Sequence, residues 1–312
     1  MAGTGFAREG TGLHARLKFL KTQTRRHHRQ EEVDAPFRSN EPMQGPPSRT
    51  AEDFKQPLLR KCTFSLDTVE WGSAEWLGDG YNGSVWKVAF GNSGPFALKV
   101  FWELQPPDFG GSFAPQREAQ NAAILQMVEA VLEEEPVHLP FESPDTHKKA
   151  MDNMLAFSMP QKNAKPRPAT ESSCAVLSSY PPLTKCYGWL AFDGKFFQRM
   201  PPSMRPRVRK EDKPPHSMSY GNIYHAIVYE YIPKEDNKPE SIEAVVQFFH
   251  LIGFSLTDSK IENWHGSKLI DMSDIVHPGG YGWTLQKYNE MPYATALIEL
   301  SQELKEQKGG KQ

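Results

Sequence analysis

Between Phe64 and Val100 apolar and polar positions alternate, with Gly-rich turns at Gly78 to Gly83 and at Gly91 to Pro95, so three short strands are predicted. Ile124, Met127, Val128, Val131 and Leu132 recur at helical spacing and predict an amphipathic helix over 116–135, stopped by Pro136. Leu183 to Phe192 and Ile223 to Ile232 read as a further pair of strands. Ile242, Val245, Val246, Phe249 and Ile252 mark a second helix, from just after Pro239 to near Gly253, and Leu269-Ile270 a short strand. A last helix is expected from about Ala294 to Lys305, and no internal repeat is present.

The stretches between these elements read differently. From Pro136 to Ser178 the composition is Pro, Ser, Lys and Met without a period, which predicts a long loop or inserted segment. Lys195 to Pro215 holds 7 Lys+Arg, 2 acids and 5 Pro, and reads as a solvated loop, either solubilising or a basic docking or nuclear-import patch. Residues 1–60 carry 11 Lys+Arg against 7 Asp+Glu and read as a basic, mostly disordered arm. Leu13, Leu17 and Leu20 leave open a short helix formed on a partner, and the scarcity of acids before Glu31 leaves open a mitochondrial presequence.

Charge and cysteine content narrow the classes. With 36 Lys+Arg against 38 Asp+Glu, the formal net charge of −2 argues against direct nucleic-acid binding through bulk attraction. Cys62, Cys174 and Cys186 form no C-x-x-C, which argues against a disulfide scaffold or a zinc site and for a reducing compartment. The longest apolar run, Ala244 to Leu256, is interrupted by Gln247 and His250 and falls short of the roughly 20 residues a membrane span needs. Residues 1–30 lack the apolar stretch of a secretory signal.

The candidate chemistry lies in three places. Leu77 to Val88 reads LGDGYNGSVWKV, with Gly78, Gly80 and Gly83 in G-x-G-x-x-G spacing and Val85 two residues beyond. A dinucleotide fingerprint would open a helix here. This one runs on into an alternating strand, so a strand-turn-strand flap whose backbone amides approach phosphate oxygens is the fitting alternative. Lys99, within Phe-Ala-Leu-Lys-Val, needs a partner if its ammonium is buried, and Glu118 in the first turn of the predicted helix could supply it. The alternative is a lysine snorkelling from an edge strand. In LTDSKIENWHGSKLIDMSD, Asp258, Lys260 and Asn263 form D-x-K-x-x-N, and Asp271 follows the short strand. Two carboxylates and an amide on neighbouring loops suit phosphoryl transfer from ATP, as one hydroxyl-orienting group and oxygen ligands for Mg²⁺.

Taken together, these motifs resemble the protein-kinase-like superfamily from about Val69 to Val276, including a hinge-like Ile-Val-Tyr-Glu-Tyr-Ile around Glu230. The resemblance implies that Lys99 contacts the α/β-phosphates of ATP and that Glu118 pairs with Lys99. It also implies that Asp258 orients the acceptor hydroxyl, that Asn263 and Asp271 ligate Mg²⁺, and that Glu230 marks the hinge beside the nucleotide. Asp108-Phe109-Gly110 spells D-F-G but precedes the helix, and reads as a turn rather than the metal motif. Leu256-Thr257 stand where such proteins carry His-Arg, and Met272-Ser273 where they carry Phe-Gly. The 41 residues after Asp271 leave no room for the usual peptide-gripping lobe.

The expectation is therefore an α+β, protein-kinase-like two-lobed fold with a truncated C-terminal lobe. Its parts would be an arm over 1–60, an N-lobe over 61–232 with insertions near 136–178 and 195–220, and a C-lobe over 233–312. More narrowly, Phe-Phe-His-Leu-Ile-Gly-Phe, Asn263 to Gly266 and Pro278 to Trp283 resemble a fungal kinase-like family that includes a subunit of a kinetochore complex. That resemblance implies a nuclear or cytoplasmic protein, either an ATP- and Mg²⁺-binding phosphotransferase or an inactive pseudokinase. Protein partners would then be held through the basic arm and the 195–215 loop.

Overall fold

The computed structural model describes residues 35–107, 111–159, 175–208, 216–257 and 260–291. It is an α+β protein built on one seven-stranded mixed sheet. In chain order the sheet strands are β1 (Arg38–Pro42), β2 (Leu59–Lys61), β3 (Glu75–Asp79), β4 (Gly83–Phe90) and β5 (Ser93–Phe101), then β8 (Cys186–Asp193) and β9 (Ile223–Glu230). They lie in the order β1-β2-β8-β9-β5-β4-β3. The β1–β2 and β2–β8 pairs are parallel and the others antiparallel.

Alternation along β5 assigns the two faces. Phe96, Leu98 and Val100 join the cluster around Trp86, Val228 and Phe197. Ala97, Lys99 and Phe101 fall on the opposite face, where Phe101 enters the larger core with helix α2 (Ala114–Leu132). Helix α2 is buried on nearly all sides rather than along one amphipathic stripe, because the sheet and the C-terminal segments both pack on it. Helix α4 (Pro239–Leu251) buries Ile242, Val245, Val246, Phe248 and Phe249 in the same core. It stops before Gly253, whose φ of 93° suits the end of a helix. A Cβ there would also stand 2.6 Å from the Ala150 carbonyl oxygen.

Three expectations from composition are corrected. Residues 35–60 are not an arm: β1 and β2 extend the sheet, and Phe54 and Leu59 are fully buried. Between them α1 (Ala51–Lys55) is closed by a capping box in which Asp53 N–H donates to Thr50 Oγ1 and Thr50 N–H to Asp53 Oδ2. The rest of the expected arm, residues 1–34, lies outside the described residues.

Nor is 136–178 a loop where it is described. There β6 (Val137–Leu139) pairs antiparallel with β7 (Ala175–Leu177). Helix α3 (His147–Leu155) buries Ala150 and Met154, and Phe157 follows at the next turn; this i, i+4, i+7 stripe is hidden among Pro, Ser and Lys. Likewise, residues 194–204 form two 3₁₀ turns. They bury Phe197 and Met200 against the sheet and accept a 2.9 Å hydrogen bond from Trp86 Nε1 at the Met204 carbonyl. The net positive charge of that segment concealed the apolar residues that cover the second sheet face.

The C-terminal part carries β10 (Ser255–Leu256), β11 (Trp264–His265), β12 (Lys268–Leu269), β13 (Ile275–Val276) and α5 (Leu285–Asn289). Strand β10 pairs with β13 and β11 with β12. The predicted helix over 294–305, Cys174 and the Asp108-Phe109-Gly110 turn lie outside the described residues. Among the described residues no helix is long and apolar enough to cross a membrane.

Candidate functional site

Lys99 meets Glu118 and Asp271, which lie 19 and 172 residues from it along the chain, at one point. In β5, Lys99 is registered between Val85 of β4 and Ile227 of β9, so it stands in the middle of the sheet and not at an edge. Its Nζ donates to Glu118 Oε1 at 2.7 Å and to Asp271 Oδ1 at 2.9 Å. Its side chain is 9% exposed and that of Glu118 0%. The snorkelling alternative is thereby overturned, since a surface lysine would not spend its donors on two carboxylates below the sheet. Tyr229 O–H donates to the second oxygen of Glu118 at 3.1 Å.

One ammonium is shared between two carboxylates, and their environments differ. Burial works against the Lys99 ammonium, but Asp271 and Glu118 outweigh it and hold Lys99 above its ordinary value. Burial likewise opposes the Asp271 carboxylate, yet Lys99 and hydrogen bonds from Ser273 keep it below the usual range. Glu118 is the loser of the three: complete burial, with Asp271 adding to it, outweighs Lys99 and pushes it up to about 7.

Asp271 begins the 3₁₀ turn Met272–Asp274 and accepts at Oδ1 from Ser273 N–H (3.0 Å) and Ser273 Oγ (2.7 Å). Ser273 Oγ accepts in turn from Asn82 Nδ2 at 2.9 Å, which ties the Gly-rich turn to the Asp271 segment. Within that turn Gly80 N–H donates to the Gly83 carbonyl at 2.8 Å, and Trp102 Nε1 donates to the Gly80 carbonyl at 3.1 Å. Gly83 is required by close approach, because a Cβ would stand 2.2 Å from the Val100 carbonyl oxygen. Gly78 takes a φ of 152° at the bulge where β3 passes β4, facing Val85. Gly80 meets neither restriction.

Asn263 closes the 3₁₀ turn that follows the exposed Lys260. Its Nδ2 donates to Asp274 Oδ2 at 2.9 Å, and its carbonyl accepts from Ile270 N–H at 2.8 Å. The Asp274 carbonyl accepts from the N–H and hydroxyl of Thr257, so the two candidate loops are held together through Asp274. Asp258 lies outside the described residues. Glu230 stands apart from the Lys99 cluster: its carboxylate accepts from Lys268 Nζ at 3.0 and 3.1 Å and from Lys185 N–H.

Sequence reasoning missed Asn82, Ser273, Asp274 and Tyr229, and also Arg117 and Asn121 of α2. Ser273 and Asp274 sit within three residues of Asp271 and were within reach of a local reading. The others act through contacts that no spacing reveals. Asp271 and Asn263 offer oxygen donors of the kind a hard divalent cation takes, although among the described residues no three His, Cys, Asp or Glu side chains converge as a metal-holding group. Compared with protein-family models, curated proteins and solved structures, the chain matches none.

Proposed function

We propose that this chain is a protein-kinase-like nucleotide-binding protein that takes ATP with Mg²⁺ at the Lys99–Glu118–Asp271 cluster. The observation that carries the proposal is the lysine in mid-sheet, ion-paired at once to a helix glutamate and to an aspartate that follows the D-x-K-x-x-N segment. Its support also includes the antiparallel run β3-β4-β5-β9-β8, with the Gly-rich turn joining its first two strands and Lys99 on its third. Such a protein uses the lysine to hold phosphates and the carboxylates to hold lysine and metal, so catalysis is mostly positioning and charge stabilisation.

In that role Lys99 turns from Asp271 to the phosphate oxygens while Glu118 keeps its ammonium in place. Asp271 and the side-chain oxygen of Asn263 would hold the magnesium ion, whose chemistry is to neutralise charge on the phosphates. By resemblance Asp258 orients an acceptor hydroxyl, and Glu230 marks the strand end beside the nucleotide.

A second function has an observation of its own. Asp271 Oδ1 is already engaged internally by Lys99 and Ser273, and Ser273 is latched to the Gly-rich turn by Asn82. A site that closes on itself in this way suits a pseudokinase that presents its surface to protein partners.

Thermal unfolding of the full chain with millimolar ATP, with Mg²⁺ and with EDTA, separates the two. Ligand at about 100 times its Kd stabilises by roughly 2.7 kcal/mol. A Mg²⁺-dependent shift, absent in Lys99→Met and Asp271→Asn, is the expected result; no shift at saturating ATP would sink the nucleotide proposal. Transfer of labelled phosphate, lowered by orders of magnitude in Asp258→Asn, then distinguishes an enzyme from a binding protein.

A further inference from the structure

We propose that Asn121 and Arg117 of α2 are positioning residues that set Asp271 against Lys99, so that the lysine–glutamate pair and the candidate metal carboxylate are placed by one rigid body. Its metal-binding consequence rests on the nucleotide proposal above; the positioning itself does not.

Asn121 lies one turn beyond Glu118, at i+3, on the same side of α2 and with no exposed surface. Its Nδ2 donates to the Met272 carbonyl at 3.0 Å and to the Ile275 carbonyl at 2.6 Å, and its Oδ1 accepts from His277 N–H at 3.3 Å. Both donors and an acceptor of one amide are thus used on the backbone directly after Asp271. Met272, Ile275 and His277 are themselves buried, so those backbone groups cannot turn to water instead. No other side-chain type of this size carries both donors and an acceptor: aspartate lacks the donors and leucine lacks everything.

Arg117, the residue before Glu118, adds a second tie. Its guanidinium donates to the Ser273 carbonyl at 3.3 Å and to the Tyr281 carbonyl at 3.4 Å. Three polar side chains within two turns of α2 are therefore tied to one region: Arg117 and Asn121 hold the 272–281 backbone, and Glu118 holds Lys99. A displacement of α2 would carry the Asp271 segment with it. Neither residue belongs to any motif in the sequence.

The test compares Asn121→Ala and Arg117→Ala with the parent, in the full chain, using ATP and MgCl₂ as the probes. The Mg²⁺ concentration that gives half of the ATP-dependent thermal shift is expected to rise about 10- to 100-fold, the usual effect of removing a residue that orients a metal ligand. The affinity for ATP in EDTA should stay within about twofold. Phe157→Leu, in the core beyond α3, serves as the control for loss of stability alone and should leave the Mg²⁺ midpoint unchanged. Unmoved midpoints in both α2 variants, or an equal rise in the control, would overturn the inference while leaving the nucleotide proposal standing.

A ligand-independent arm keeps the two separable. In a double-mutant cycle on the folding equilibrium, Asn121→Ala and Lys99→Met are expected to couple by at least about fivefold, because Asn121 positions a partner of Lys99. If Asn121→Ala does not fold, Arg117→Ala takes its place in the cycle. Additive effects would sink the positioning role, whereas a parent without any Mg²⁺-dependent shift would sink the nucleotide proposal and leave the coupling to decide this one.

Discussion

Replacing Lys99 by methionine removes one ammonium from between two carboxylates and leaves the fully buried Glu118 without its ion-pair partner. Breaking a buried pair by removing one partner typically costs about 3–5 kcal/mol, because the remaining charge is uncompensated. Glu118 escapes part of that cost by taking up a proton, which makes the loss depend on pH. With Lys99 present, Glu118 is pushed up to about 7 from an ordinary 4.5. A carboxylate raised on folding contributes stability that is fully present below its unfolded value and declines as pH rises through its folded value.

In the parent that decline ends just above pH 7. Without Lys99 the folded value moves higher, so the decline continues at about 1.4 kcal/mol per pH unit beyond 7. Urea unfolding at pH 6, 7 and 8 is the assay, with an unchanged m-value as the check that the same surface unfolds. Lys99→Met is expected to be destabilised by about 3–5 kcal/mol at pH 8 and by at least about 1 kcal/mol less at pH 6. Adding Glu118→Gln should remove the pH-dependent part. A loss under about 1 kcal/mol at pH 8, the size of an exposed pair, or a loss independent of pH, would refute the buried cluster.

Burial depresses His277 to about 3, so it contributes stability that is present above pH 6.5 and lost as pH falls toward 3. The loss at pH 5 comes to about 2 kcal/mol, and His277→Gln should flatten that slope. His225, depressed to about 4 by burial and by Arg38, adds to the same window and will leave a residual slope; an unchanged slope in the variant would contradict the burial of His277. Gly83→Ala drives a Cβ into the Val100 carbonyl and should destabilise by more than about 2 kcal/mol, while Gly80→Ala, with its nearest neighbour at 3.7 Å, should be nearly silent in chemical denaturation. Phe54→Ala should cost about 3–5 kcal/mol if residues 35–60 are part of the core; a loss near zero would restore the picture of a detached arm.

Local order was legible where the controlling pattern is itself local. Alternation between Phe96 and Phe101 specified a strand and put Lys99 opposite Leu98 and Val100. The recurrence of Ile124, Met127 and Val128 specified α2, and the spacing of Lys99, Glu118, Asn263 and Asp271 nominated residues of which three prove to be in contact. Composition misled where few apolar residues are scattered among many charges. Phe54 and Leu59, Ala150 and Met154, and Phe197 and Met200 are each a small minority in their segment, yet burial is decided by the position of each side chain and not by the average of its neighbours.

What the sequence alone determined is thus the type of those regular elements that carry a clear period of their own, and the chemical identity of the candidate site. Only the tertiary structure decided that β2 joins β8 in parallel, that Asn82 reaches Ser273, and that Asn121 holds the carbonyls of Met272 and Ile275. Those partners lie 100 or more residues apart, and a hydrogen bond between them leaves no period in the chain. It exists because α2 and the 271–277 segment are packed where water cannot satisfy their polar groups, so each must find the other.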